Sequence, residues 1–80
     1  MKKRIRFEQQ LQNAGMLLRN FRISSGLTQK QLSNIAGVHY NSIHAIERGL
    51  NQGFNIKTLL CCMYAMGYGL SDFFEDFESD

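Results

Sequence analysis

Between Leu27 and Gly49 the apolar positions fall into two short helical rows separated by a glycine. Leu27 and Leu32 stand at staple spacing around Thr28 and Gln31, a hydroxyl and an amide placed to satisfy two orphan backbone donors reciprocally. Leu32, Ile35 and Ala36 then share one face at i, i+3 and i+4. This spacing predicts a helix beginning at Thr28 with that row turned inward, and Gly37 can take the positive φ that ends it. Val38 and Ile43 repeat the staple spacing around a second start near His39, Ile46 extends the row, and Gly49 closes it. A connection this short makes two helices cross at roughly 90 to 120°. The close crossing needs a small side chain on the first helix, which Ser33 supplies.

The flanking pattern is helical too. A first helix is expected from about Glu8 to Ser25, with Leu18 and Phe21 inward, Gly26 after its end, and Gly15 as a point where it breaks or bends. Asn55 is placed to cap a fourth helix from Ile56 to Met66, whose stripe Ile56, Leu59, Cys62, Met63 and Met66 would pack on the crossed pair. A last helix near Leu70 to Phe77 closes the domain. The fold expected is therefore all-α, a compact five-helix domain built around a helix-turn-helix. It spans residues 1–80 as one domain, with a core at about 8–77, a basic N-terminal arm at 1–7 and an acidic end at 75–80.

With Ile43 and Ile46 inward, the outward stripe of the second short helix is Tyr40, Asn41, His44, Ala45 and Arg48. It carries no carboxylate. From Gln9 to Ser71 the single acid is Glu47, against Arg19, Arg22, Lys30, Arg48 and Lys57. A polyanion could approach such a surface with little repulsion. The net charge of +2 conceals a polarity, with four Lys or Arg among the first six residues and five Asp or Glu among the last nine. The basic start reads either as a solvated terminus, the default, or as an arm that follows phosphate or enters the minor groove. Phe73, Phe74 and Phe77 are interleaved with the acids of the other end, and are expected inward or at a subunit contact.

Several short runs carry a resemblance. Leu18, Phe21 and Arg22, the G-L-T-Q run at 26–29, A-G-V at 36–38, S-I-x-x-I-E-R-G at 42–49 and T-L-L followed by M-G within 58–67 stand in an order and spacing similar to the lambda repressor and Cro type of helix-turn-helix, the XRE group of regulators. The similarity covers about residues 15 to 74 and departs at His39, Tyr40 and Gly69. It implies a lambda-repressor-like fold that binds double-stranded DNA through the second short helix. It also implies a phosphate contact at Gln29 and an ion pair between Arg22 and Glu47. Base contacts are then expected from His39, Tyr40, Asn41, His44 and Ala45, and phosphate contacts from Gln29, Arg48, Asn51 and Lys57.

At 80 residues a single domain buries about 60 to 65% of its unfolded surface, so association would help to stabilise it. Cys61 and Tyr64 lie off the inward stripe of the fourth helix. With Phe74 and Phe77 they form the expected homodimer interface, the alternative being ordinary single surface hydrophobes. Adjacent Cys61 and Cys62 diverge on a helix, and His39 and His44 at i, i+5 point apart, so no metal or cofactor is expected. No apolar run approaches the roughly 20 residues of a membrane span, which predicts a cytoplasmic protein without a membrane partner. Paired carboxylates, a nucleophile with its base and a phosphate loop are all missing, so an enzyme is not expected. The rival reading is a protein-interaction module of the same fold, such as the antitoxin of a toxin pair; a controller protein of a restriction system is a variant of the DNA-binding reading.

Overall fold

A computed structural model describes residues 6–50 and 54–76. Five α-helices follow one another: α1 Phe7–Ser24, α2 Gln29–Ala36, α3 Tyr40–Glu47, α4 Ile56–Ala65 and α5 Leu70–Asp76. Strands are absent among the described residues.

Each helix start has a local cause. The Thr28 hydroxyl accepts from Gln31 N–H at 3.0 Å while the Gln31 side chain accepts from Thr28 N–H at 2.9 Å, so α2 opens on a complete capping box. Asn55 Oδ1 accepts from the N–H groups of Lys57 and Thr58 at the start of α4. His39 caps α3 through an imidazole nitrogen, Nδ1, that accepts from Asn41 N–H at 3.2 Å. Gly69 has no side chain with which to cap the first N–H groups of α5, and only the reciprocal half of a capping box forms, Asp72 accepting from Gly69 N–H at 2.8 Å. Between α2 and α3 the chain turns at Gly37, φ +71°, and Val38 N–H reaches back to the Ser33 carbonyl at 3.1 Å.

The core gathers Leu18 and Ala14 of α1, Leu32 of α2, Ile43 and Ile46 of α3, Leu59, Cys62 and Met63 of α4, and Phe73 of α5. Helix α1 packs mainly on α3, and α2 lies against α3 and α4. Ser33, buried at this crossing, donates its hydroxyl proton to the Lys30 carbonyl, so the small polar group needs no outside partner. Phe21 meets Tyr68 with ring centroids 4.7 Å apart and closes the end of the core.

Three expectations are corrected. Ile35 is 56% exposed, because the inward row of α2 is Leu32, Ser33 and Ala36, which turns the i+3 position to the flank. Ile56 is 53% exposed, since α4 turns inward only from Leu59 onward. Helix α1 runs unbroken through Gly15. A Cβ there would stand 2.2 Å from the Ile46 carbonyl oxygen, so this glycine lets the last turn of α3 lie directly on α1. Phe73 is buried and Phe74 is 54% exposed, while Phe77 lies outside the described residues.

Candidate nucleic-acid interface

Helix α2 and the very start of α3 border an open groove of about 890 Å³, lined by Arg22, Thr28, Gln29, Lys30, Asn34, His39 and Tyr40 among others. Tyr40 and Asn41 are exposed on the first turn of α3. His44 and Ala45, expected fully outward on that stripe, are half-buried, because the short helix is flanked closely by its neighbours. Tyr40 and His44, one turn apart, stack with centroids 6.2 Å apart and planes 16° from parallel.

The only carboxylate between Gln9 and Ser71 is withdrawn from this surface. Glu47 has a side chain 3% exposed; its Oε2 accepts from Arg22 Nε at 2.7 Å and its Oε1 from Arg22 Nη2 at 3.0 Å. Gln29 Nε2 donates to the same Oε1 at 2.9 Å, and Arg22 Nη1 donates to the Leu27 carbonyl at 2.8 Å. The guanidinium therefore ties the end of α1 to the loop before α2 and to the end of α3. Its hydrogen bonds to Glu47 hold it protonated above its ordinary range, against the opposing effect of burial. Two charges taken from water recover much of their desolvation penalty only with such geometry, so the pair fixes an arrangement more than it adds net stability.

With Glu47 neutralised, Arg19, Lys30, Arg48 and Lys57 remain exposed. Arg48 ends α3 and Lys57 stands in the first turn of α4, where Asn55 caps the N–H groups of Lys57 and Thr58. Asn51 lies outside the described residues, as do residues 1–5 of the basic arm and residues 77–80 of the acidic end. Gln29, expected at a phosphate, is half-buried with one amide hydrogen committed to Glu47, which leaves the second free. Nothing in the pattern of residues signals this bond beyond the position of Gln29 at the start of a helix.

A helix-turn-helix family model matches residues 18–60, more than half of the chain and all of the elements just described from mid-α1 to mid-α4. The chain belongs to the helix-turn-helix family, of the XRE type. This is a DNA-binding architecture of transcriptional regulators. Among solved structures, the fold is similar to that described as the crystal structure of the clp gene regulator ClgR from C. glutamicum. The TM-score is 0.69 at 22% identity, over 91% of this chain and 88% of that one. No curated protein matches the chain.

The groups expected at a subunit contact lie on α4 and α5. Tyr64 is 85% exposed on α4, Cys61 is half-buried beside it, and Phe74 borders an apolar groove of about 160 Å³ with Phe7, Leu11, Phe54 and Ile56. Clusters of His, Cys, Asp and Glu able to hold a metal are absent among the described residues, and no described helix is long and apolar enough to cross a membrane.

Proposed function

We propose that this protein is a sequence-specific transcriptional regulator that binds double-stranded DNA as a homodimer, with two α3 helices in successive major grooves about 34 Å apart on a pseudo-palindromic operator. The observation that carries the reading is the fate of Glu47. The one acid in the middle of the chain is buried on Arg22 and Gln29, and every exposed charge from Gln9 to Ser71 is positive.

In this reading Tyr40, Asn41 and His44 reach base edges, with His39 and Ala45 beside them; Asn41 has the donor and acceptor that match N6 and N7 of adenine. Gln29, Arg48, Asn51 and Lys57 hold phosphates. Cys61, Tyr64, Phe74 and Phe77 join the two subunits. Bound to an operator, the dimer blocks or recruits polymerase in the cytoplasm.

Titration of duplex DNA at several salt concentrations tests the reading. The logarithm of the binding constant should fall by roughly 0.9 per phosphate contact per logarithmic unit of salt. Asn41→Ala should cost about 1 to 3 kcal/mol on a selected duplex and relax one base position per half-site, while Lys57→Ala should weaken all duplexes alike. Binding that ignores salt, or an Asn41→Ala loss equal on selected and random DNA, would overturn it.

A further inference from the structure

Among the described residues a single buried side-chain nitrogen or oxygen has no hydrogen-bond partner, and it is Nδ1 of His44, in the middle of the recognition helix. The ring's other nitrogen, Nε2, is not buried in this way. A neutral imidazole carries one hydrogen, on either nitrogen, and the other nitrogen accepts. A hydrogen on Nδ1 would be a buried donor with nothing to receive it, and orphaned buried N–H groups are rarer than orphaned acceptors. The hydrogen therefore belongs on Nε2, and stacking on Tyr40 holds the plane in which it points.

Resting on the DNA-binding reading above, we infer that His44 is a donor-only reader that presents Nε2–H to N7 of a guanine and so sets specificity at one base pair of each half-site. Guanine offers two adjacent acceptors in the major groove, N7 and O6. Adenine sets an amino donor beside its N7, thymine offers the single acceptor O4 beside its methyl, and cytosine offers only an amino donor, so all three meet a fixed N–H less well than guanine's paired acceptors. Asn41 differs, since its amide can turn to give or take. His39, the other histidine, uses Nδ1 to cap α3 and is held by a different constraint.

Two measurements test this, and the first needs no DNA. Long-range proton–nitrogen spectra of the free protein should show the His44 hydrogen on Nε2; a hydrogen on Nδ1 would overturn the inference. The second starts from duplexes selected out of a randomised pool by the unmodified protein, with 7-deazaguanine replacing each guanine in turn. One guanine per half-site should weaken wild-type binding about three- to tenfold when its N7 is removed, the effect of a single hydrogen bond. His44→Ala should lose nothing further at that base, and His44→Gln should accept a base pair offering a donor there. Equal penalties in wild type and His44→Ala, or no sensitive guanine, would overturn the inference and leave DNA binding standing. A pool that yields no selected duplex would overturn both, even with the hydrogen on Nε2.

Discussion

A carboxylate on a surface that meets DNA repels it, and the position of Glu47 in the sequence, one residue from the outward stripe of α3, gives no sign that it is hidden. Its burial depends on Arg22 and Gln29, 25 and 18 residues away, arriving at the same two oxygens. The Arg22 partnership was legible through family resemblance; the Gln29 bond was not, because three residues from three helices meet there only once the helices have packed. Cys62 shows the opposite case, a group whose state follows from burial alone. Enclosure in the core, with the neighbouring Cys61 thiol and Glu47 adding to it, pushes the Cys62 thiol up to about 12. Its protonated form is thus favoured by folding. That contribution is intact below the unfolded thiol's value, near 8.5, and is lost as the pH rises from there toward 12. Native protein at pH 8 should be alkylated quickly at half-buried Cys61 and only after unfolding at Cys62, as read by mass spectrometry. Between pH 8 and 10 wild type should lose about 1 to 2 kcal/mol more stability than Cys62→Ala in denaturant titrations. Fast native labelling of Cys62 would contradict its enclosure.

Helix limits were the most legible feature, since caps and glycines mark them locally. The Thr28 capping box, the Asn55 cap and the turns at Gly26 and Gly37 stand where the chain places them for reasons internal to a few residues. Which residue of a helix faces inward is decided by neighbours, and Ile35 and Ile56 both turned out exposed although each continues an apolar spacing. Gly15 was misread for the same reason. A glycine within a helix suggests weakness when only its own helix is considered, yet here it is the place where α3 touches α1. Gly15→Ala therefore separates two opposed effects. Helix propensity would stabilise the variant by about 1 kcal/mol. A methyl 2.2 Å from a backbone carbonyl must instead push α3 off α1, an overpacking cost of about 1 to 3 kcal/mol or more. Thermal unfolding should show a net loss for Gly15→Ala and almost no change for Met16→Ala, which removes a side chain 61% exposed. A Gly15→Ala protein more stable than wild type would mean that the α1 to α3 contact is looser than described.

At the scale of the whole molecule, basic groups and large apolar groups both stand exposed. Lys30 stands in the first turn of α2, Lys57 in that of α4 and Arg48 at the end of α3, while Tyr64 and the groove of Phe7, Ile56 and Phe74 leave large apolar side chains exposed on α1, α4 and α5. A domain of this size covers its apolar surface poorly alone. The homodimer proposed above uses that surface; Tyr64 is 85% exposed, and Phe74, 54% exposed, meets core Phe73 edge-on with centroids 5.8 Å apart, so replacing both should cost some stability and leave the helices formed. Tyr64→Asp combined with Phe74→Asp should keep the helical circular dichroism of the parent and sediment as a monomer. Its binding to a single half-site should be unchanged. Its affinity for a full palindrome should fall by about 10²- to 10⁴-fold, because the second half-site is no longer held at high effective concentration by the first. Sedimentation of the unmodified protein decides the premise. If it runs as a monomer at micromolar concentration and occupies a full palindrome one to one, the exposed tyrosine and phenylalanines serve some other contact, and the spacing of any operator is set by the DNA alone.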